Sequence, residues 1–127
     1  MDTKHTRIAI CADSENPKDD VASRFARCEF YGVYNHKSLS FNFEENKAKN
    51  EMSGAGAKAA KQIYDLGVTA VLVPEIGPKA FEALEAFEIE VYRYSQTYSV
   101  RDAIYDYYEK KLQRVLASTK TGKHAWK

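Results

Sequence analysis

Apolar positions along this chain change period from one stretch to the next, and each period names an element. "RIAICA" (7–12) is a short apolar run rich in β-formers and predicts a buried strand. "DSENPKDDVASRFAR" (13–27) is polar and reads as a long loop. "EFYGVYN" and "SLSFNFEE" are strand-like, and His36-Lys37 between Asn35 and Ser38 predicts a tight antiparallel hairpin. In the second run Leu39, Phe41 and Phe43 alternate with Ser40 and Asn42, which implies one buried face and one wetter face. After the polar "NKAKNEM", Ala59, Ile63 and Leu66 fall at helical spacing within 55–66, and Gly67 supplies a C-terminal stop. "VTAVLV" is continuously apolar, as a parallel strand covered on both faces would be. Pro78 suits the first turn of a second helix, with Ala80, Phe81, Leu84 and Phe87 as its apolar stripe. "IEVYRY" predicts another strand. "SVRDAIYDYYEKKLQRVLA" predicts one long amphipathic helix, N-capped by Ser99 with Asp102 three residues on. The order β, ββ, α, β, α, β, α implies an α/β fold: one five-stranded mixed sheet, its single antiparallel strand coming from the hairpin, with helices on both faces. One domain over 1–117 is expected, followed by a polar, mobile tail, 118–127.

Composition narrows the class. The chain has 127 residues, 44% apolar and 29% charged, which suits one globular domain. A net charge of +1 gives no bulk attraction to nucleic acid. No long apolar run marks a signal peptide or a membrane span, so a cytoplasmic location is expected. Cys11 and Cys28 are then expected as free thiols and not as a disulfide.

Two stretches carry candidate chemistry. In "SGAGAKAAKQI" (53–63), Gly54-x-Gly56-x-x-Ala59 matches the dinucleotide fingerprint, and Glu75 lies about 20 residues on. That fingerprint needs a buried strand running straight into the glycine turn. Here a hairpin strand and about ten polar residues precede Gly54, so a dinucleotide turn is not supported. No Gly-Lys-Ser/Thr follows for a P-loop either. What remains is a flexible helix start, or an anion site made by backbone N–H groups around Ser53, Gly54, Ala55 and Gly56. "SRFARCEFY" (23–31) places Arg24, Arg27 and Cys28 together. An arginine pair beside a thiol would favour the metal-binding thiolate. Alternatively, Arg24 pairs with Asp19 or Asp20 and Cys28 is a small core residue. Cys11 reads as core. His5, His36 and His124 read as surface residues, and no Cys-x-x-Cys, His-x-x-x-His or catalytic triad can be assembled.

Taken together, the motifs resemble the dinitrogenase iron–molybdenum cofactor biosynthesis domains, relatives of NifX and of the NifB C-terminal domain. "RIAICADSENPKDDVASRFARCEFYGVYN" is similar to their strand, loop and "RFG-R" or "HFG" segment. "GAGAKAAKQIYDLGVTAVLVPEIGPKAFEALEAFEIEVY" is similar to their "GAG" helix, Gly-Val turn and "IGP-AF-AL" helix. The resemblance spans roughly Arg7 to Leu116. It implies a ribonuclease H-like motif, and binding or carriage, without turnover, of an anionic iron–sulfur or molybdenum-containing cluster or its precursor. No cofactor would be needed for folding. Partners would be the cluster's donor and acceptor proteins, with no nucleic acid and no membrane. The family's candidate histidine ligand is matched here by Arg24, and the family glycine by Ala26. A guanidinium does not coordinate metal, so the resemblance leaves Cys28 as the candidate ligand. Arg24, Arg27, Ser53, Gly54, Ala55 and Gly56 would form an anion cradle. The alternative is a regulatory or protein-interaction domain of the same fold that has lost the cluster.

Overall fold

Strand β1 (Arg7–Ala12) is buried at five of its six positions, and its side chains feed two different layers. Ala9 and Cys11 join one apolar cluster, and Ile8, Ile10 and Ala12 join the other. Such two-sided burial is what a strand without polar alternation demands. The computed structural model describes residues 6–13, 25–94 and 99–116. The loop segment 14–24, with Arg24, and the tail 118–127 expected from the sequence lie outside the described residues.

The remaining elements are β2 (Phe30–Asn35), β3 (Ser40–Glu45), α1 (Ala55–Asp65), β4 (Ala70–Val73), α2 (Pro78–Ala86), β5 (Glu90–Arg93), α3 (Val100–Tyr108) and β6 (Gln113–Arg114). They form one mixed sheet in the order β3-β2-β1-β4-β5-β6. β1 pairs in parallel with β4, with Ile10 opposite Leu72, and β4 in parallel with β5, with Leu72 opposite Tyr92. β2 runs antiparallel to both β1 and β3. Helices α1 and α2 cover one face through Ala59, Ile63, Phe81 and Leu84. α3 covers the other through Val100, Ala103 and Ile104.

Three features differ from the sequence reading. The sheet has six strands where five are expected, and two of them, β2 and β6, run against the rest. The sixth strand is taken from the predicted long C-terminal helix. That helix ends at Tyr108, Lys110 adopts a left-handed φ of 62°, and Lys111 N–H closes back on the Asp106 carbonyl at 2.9 Å. The chain then pairs with the open edge of β5, and Val115 N–H donates to the Val91 carbonyl at 2.8 Å. Pairing the edge and burying Val115 outweigh one more helical turn of mostly charged residues. In the hairpin, Asn35 pairs with Ser40, so four residues turn the chain instead of two. Asn35 Oδ1 accepts the N–H groups of Lys37 and Ser38, and Leu39 is left-handed (φ 56°) and 70% exposed instead of joining the buried face.

α1 and α2 touch through their first turns. A Cβ placed on Gly56 would lie 2.8 Å from Ala80 Cβ and 3.0 Å from Ala80 N. Gly56 is thus where the helices approach backbone to backbone. Gly56→Ala should therefore destabilise the fold by about 1–3 kcal/mol, although alanine is the better helix former. Ala80→Gly in the same chain should recover part of that loss, as urea unfolding midpoints would show.

Candidate functional site

Because β1, β4 and β5 are parallel, the crossover helices run back against them. The N-termini of α1 and α2 therefore open at the C-terminal ends of these strands, where ligands of open α/β sheets bind. The turn before β2 reaches the same edge, since Phe30 pairs with Ala12 at the end of β1.

Neither helix start is closed by a side chain. Gly54 caps α1 with a left-handed backbone (φ 73°), and Gly77 caps α2 in an extended one; neither has a side-chain cap or an acid in the first turn. A Cβ at Gly54 or at Gly77 would enter open space. At Gly54 the positive φ requires glycine. At Gly77 neither conformation nor packing does, so its missing side chain leaves backbone open to approach. Ser53 and Gly54 are exposed, Gly56 is half-buried, and Ala55 turns its side chain into the core. With the first turns in contact at Gly56 and Ala80, two positive helix poles stand side by side.

The cysteine lies behind this surface. Cys28 is 2% exposed, and its thiol donates to the Phe25 carbonyl at 3.4 Å. Cys11 Sγ lies 3.7 Å from the same oxygen, and the Tyr31 hydroxyl donates to it at 2.6 Å. Burial pushes the Cys11 thiol well above its ordinary value, with the hydrogen bond and charge of neighbouring Cys28 adding to the shift. Burial also raises Tyr31 and Tyr94, each with the charges of both cysteines as lesser causes.

Arg27 does not face the thiol. Its Nη1 donates to the carbonyls of Lys49 (3.0 Å) and Glu51 (2.7 Å), fastening the Phe25–Cys28 turn to the loop that leads into α1. The structure thus brings Arg27, Cys28 and the 53–56 helix start to one edge, but uses Arg27 as a bracket between them. Among the described residues no three His, Cys, Asp or Glu side chains cluster as a metal site.

The residue that organises this edge is one the sequence reading passes over. Asn46 is 1% exposed and is the buried polar residue among those described. Its Nδ2 donates to the carbonyls of Ala26 (3.0 Å) and Cys28 (2.9 Å), its Oδ1 accepts Ala48 N–H (2.9 Å), and its own N–H donates to Glu29. The only hint in the sequence is an asparagine where the alternation of β3 stops.

The model of the dinitrogenase iron–molybdenum cofactor family matches residues 6–110. This chain belongs to that family. An uncharacterised protein of Methanocaldococcus jannaschii is 31% identical over 117 residues, covering 90% of this chain and 95% of its own. The apo orange protein of Desulfovibrio gigas superposes with a TM-score of 0.88 at 27% identity, covering 91% of this chain and 97% of that one. A putative NifB protein from Thermotoga superposes at 0.80 with 29% identity, over 91% and 97%. Membership of the family associates the chain with metal-cofactor binding or biosynthesis. No helix among the described residues is long and apolar enough to cross a membrane.

Asn46→Ala would leave the Cys28 carbonyl, the half-buried Ala26 carbonyl and the buried Ala48 N–H without their amide partner, so it should destabilise the protein by about 3 kcal/mol in urea unfolding. The buried acids set a pH dependence. Cys11, Tyr31 and Tyr94 ionise less readily folded than unfolded, so their contributions are complete below the ordinary thiol value of 9.0, the thiol's being lost as pH rises above 9.0 and the tyrosines' above 10.0. Stability should fall above those values by about 1.4 kcal/mol per pH unit for each unfolded-state group that ionises, and Cys11→Ala should flatten the first part of the fall.

Proposed function

We propose that this protein binds or carries, without turning it over, an anionic metal–sulfur cluster or its precursor, containing iron–sulfur or molybdenum. Its place is the C-terminal edge of β1 and β4. The observation that carries this reading is the pair of touching helix N-termini capped by Gly54 and Gly77, with open space where side chains would stand. Free first-turn N–H groups and two positive poles favour a compact anion. The strand order and the antiparallel β2 suit the ribonuclease H-like topology expected of such a domain.

The residues fit the anion better than they fit a ligated metal. Gly54, Ala55 and Gly56 offer backbone donors, with Ser53 exposed beside them. Arg27 holds the cradle's rim in place and Arg24 is its further cationic candidate. Cys28 is the soft donor at this edge, and coordination would require its thiol to leave the Phe25 carbonyl. Cluster donor and acceptor proteins in the cytoplasm are the partners that such a carrier serves.

That buried, hydrogen-bonded thiol favours a second reading, a regulatory or interaction domain of the same fold without a cluster. Anaerobic reconstitution with iron, sulfide and molybdate separates the two. The carrier reading expects stoichiometric metal and visible absorption after gel filtration, and a colourless, metal-free protein would support the regulatory one. Gly77→Asp should hold or raise the melting temperature, because aspartate is a good N-cap. It should also lower metal uptake at least tenfold by placing a carboxylate in the cradle. Cys28→Ala decides the ligand: unchanged uptake would remove Cys28 from the site.

A further inference from the structure

Cys11 comes from the centre of the sheet and Cys28 from the turn before β2, yet their thiols point at one oxygen, the Phe25 carbonyl, at 3.7 and 3.4 Å. The Tyr31 hydroxyl holds that oxygen more closely, at 2.6 Å. A carbonyl oxygen has two lone pairs, and here three donors converge on it. The thiols are the weak donors of the three. Removing both of their hydrogens leaves the oxygen satisfied by Tyr31 and strands no buried donor. Both cysteines lie in the same apolar cluster, with Phe25 and Tyr31 beside them.

We propose that Cys11 and Cys28 are a dithiol pair that a peroxide converts to an intrachain disulfide, and that the bond withholds Cys28 from an incoming cluster. The first half stands on the thiol geometry alone; the second rests on the function proposed above. In the reaction the Cys28 sulfur attacks a peroxide oxygen, the O–O bond breaks, and a sulfenic acid and one water result. The Cys11 sulfur then attacks the Cys28 sulfur, the S–O bond breaks, and a second water leaves. Two thiols lose two protons and two electrons, and one hydrogen peroxide becomes two waters. Cys28 reacts first because it lies in a turn at the sheet's edge, and Cys11, fixed in β1, resolves it. The bond would tie that turn to the central strand and hold shut the surface behind the helix pair.

The test treats the folded, reduced protein with hydrogen peroxide at low protein concentration, then alkylates and maps it by mass spectrometry. The expected product is a monomer lighter by two hydrogens, with the Cys11 and Cys28 peptides joined, a higher melting temperature, and full reversal by dithiothreitol. Cys11→Ser should abolish the link and leave oxygen added at Cys28. Oxygen addition at Cys28 without a link in the unmodified sequence, or a link only between molecules, would overturn the pair. Reconstitution of both forms tests the second half: the reduced protein should take up metal and the disulfide form at least tenfold less. Equal uptake by the two would refute the gating. A disulfide that forms in a protein taking up no metal in either state leaves the pair standing and removes the cluster function and its gating.

Discussion

Two helix N-termini repel when set side by side, because each carries roughly half a positive charge on unpaired N–H groups. Here α1 and α2 are drawn together at that very point, with Gly56 against the backbone of Ala80. No side-chain cap and no first-turn acid offsets either pole. The fold tolerates this because α1 and α2 share one buried stripe on the sheet, and that apolar packing supplies the stability that the poles withhold. A compact anion at the junction would supply the missing counter-charge. The parallel strands β1, β4 and β5 fix both poles at one edge, so the sheet topology, the close contact and the candidate binding surface follow from one another.

The same edge is braced from the side of β2. Asn46 and Arg27 stitch the Phe25–Cys28 turn to the loop before α1 from opposite directions: Asn46 reaches to the turn's carbonyls, and Arg27 reaches from the turn to the loop's. Their effect is to make the thiol-bearing turn and the approach to α1 one hydrogen-bonded unit.

Where a periodic apolar pattern ran for several residues, the sequence was readable. The last four residues of "VTAVLV", Ala70–Val73, form a fully buried parallel strand, and Ser99 does cap α3, accepting Asp102 N–H at 3.1 Å. At Gly54 the helix start is legible, and its left-handed backbone explains the glycine. At Gly56 the letters were legible but the reason was not, since its partner Ala80 is brought near only by tertiary packing. β6 was hidden because a two-residue strand has no period, and its neighbours Leu112 and Val115 also fit a helix. Arg27 precedes the thiol in sequence, which suggests a neighbour for it. Its long side chain goes instead to two carbonyls more than twenty residues away. Asn46 is marked in sequence only by standing where the alternation of β3 stops; burial reveals what its amide satisfies.

The proposed function requires an anion to bind at the joined N-termini of α1 and α2. Amide chemical shifts of isotope-labelled protein, followed as tetrathiomolybdate is added anaerobically, test it most directly. Binding there should give saturable shifts concentrated at Gly54–Ala57 and at Gly77, Lys79 and Ala80, with little change along α3. Saturable shifts confined to another surface, or none at millimolar anion, would contradict it.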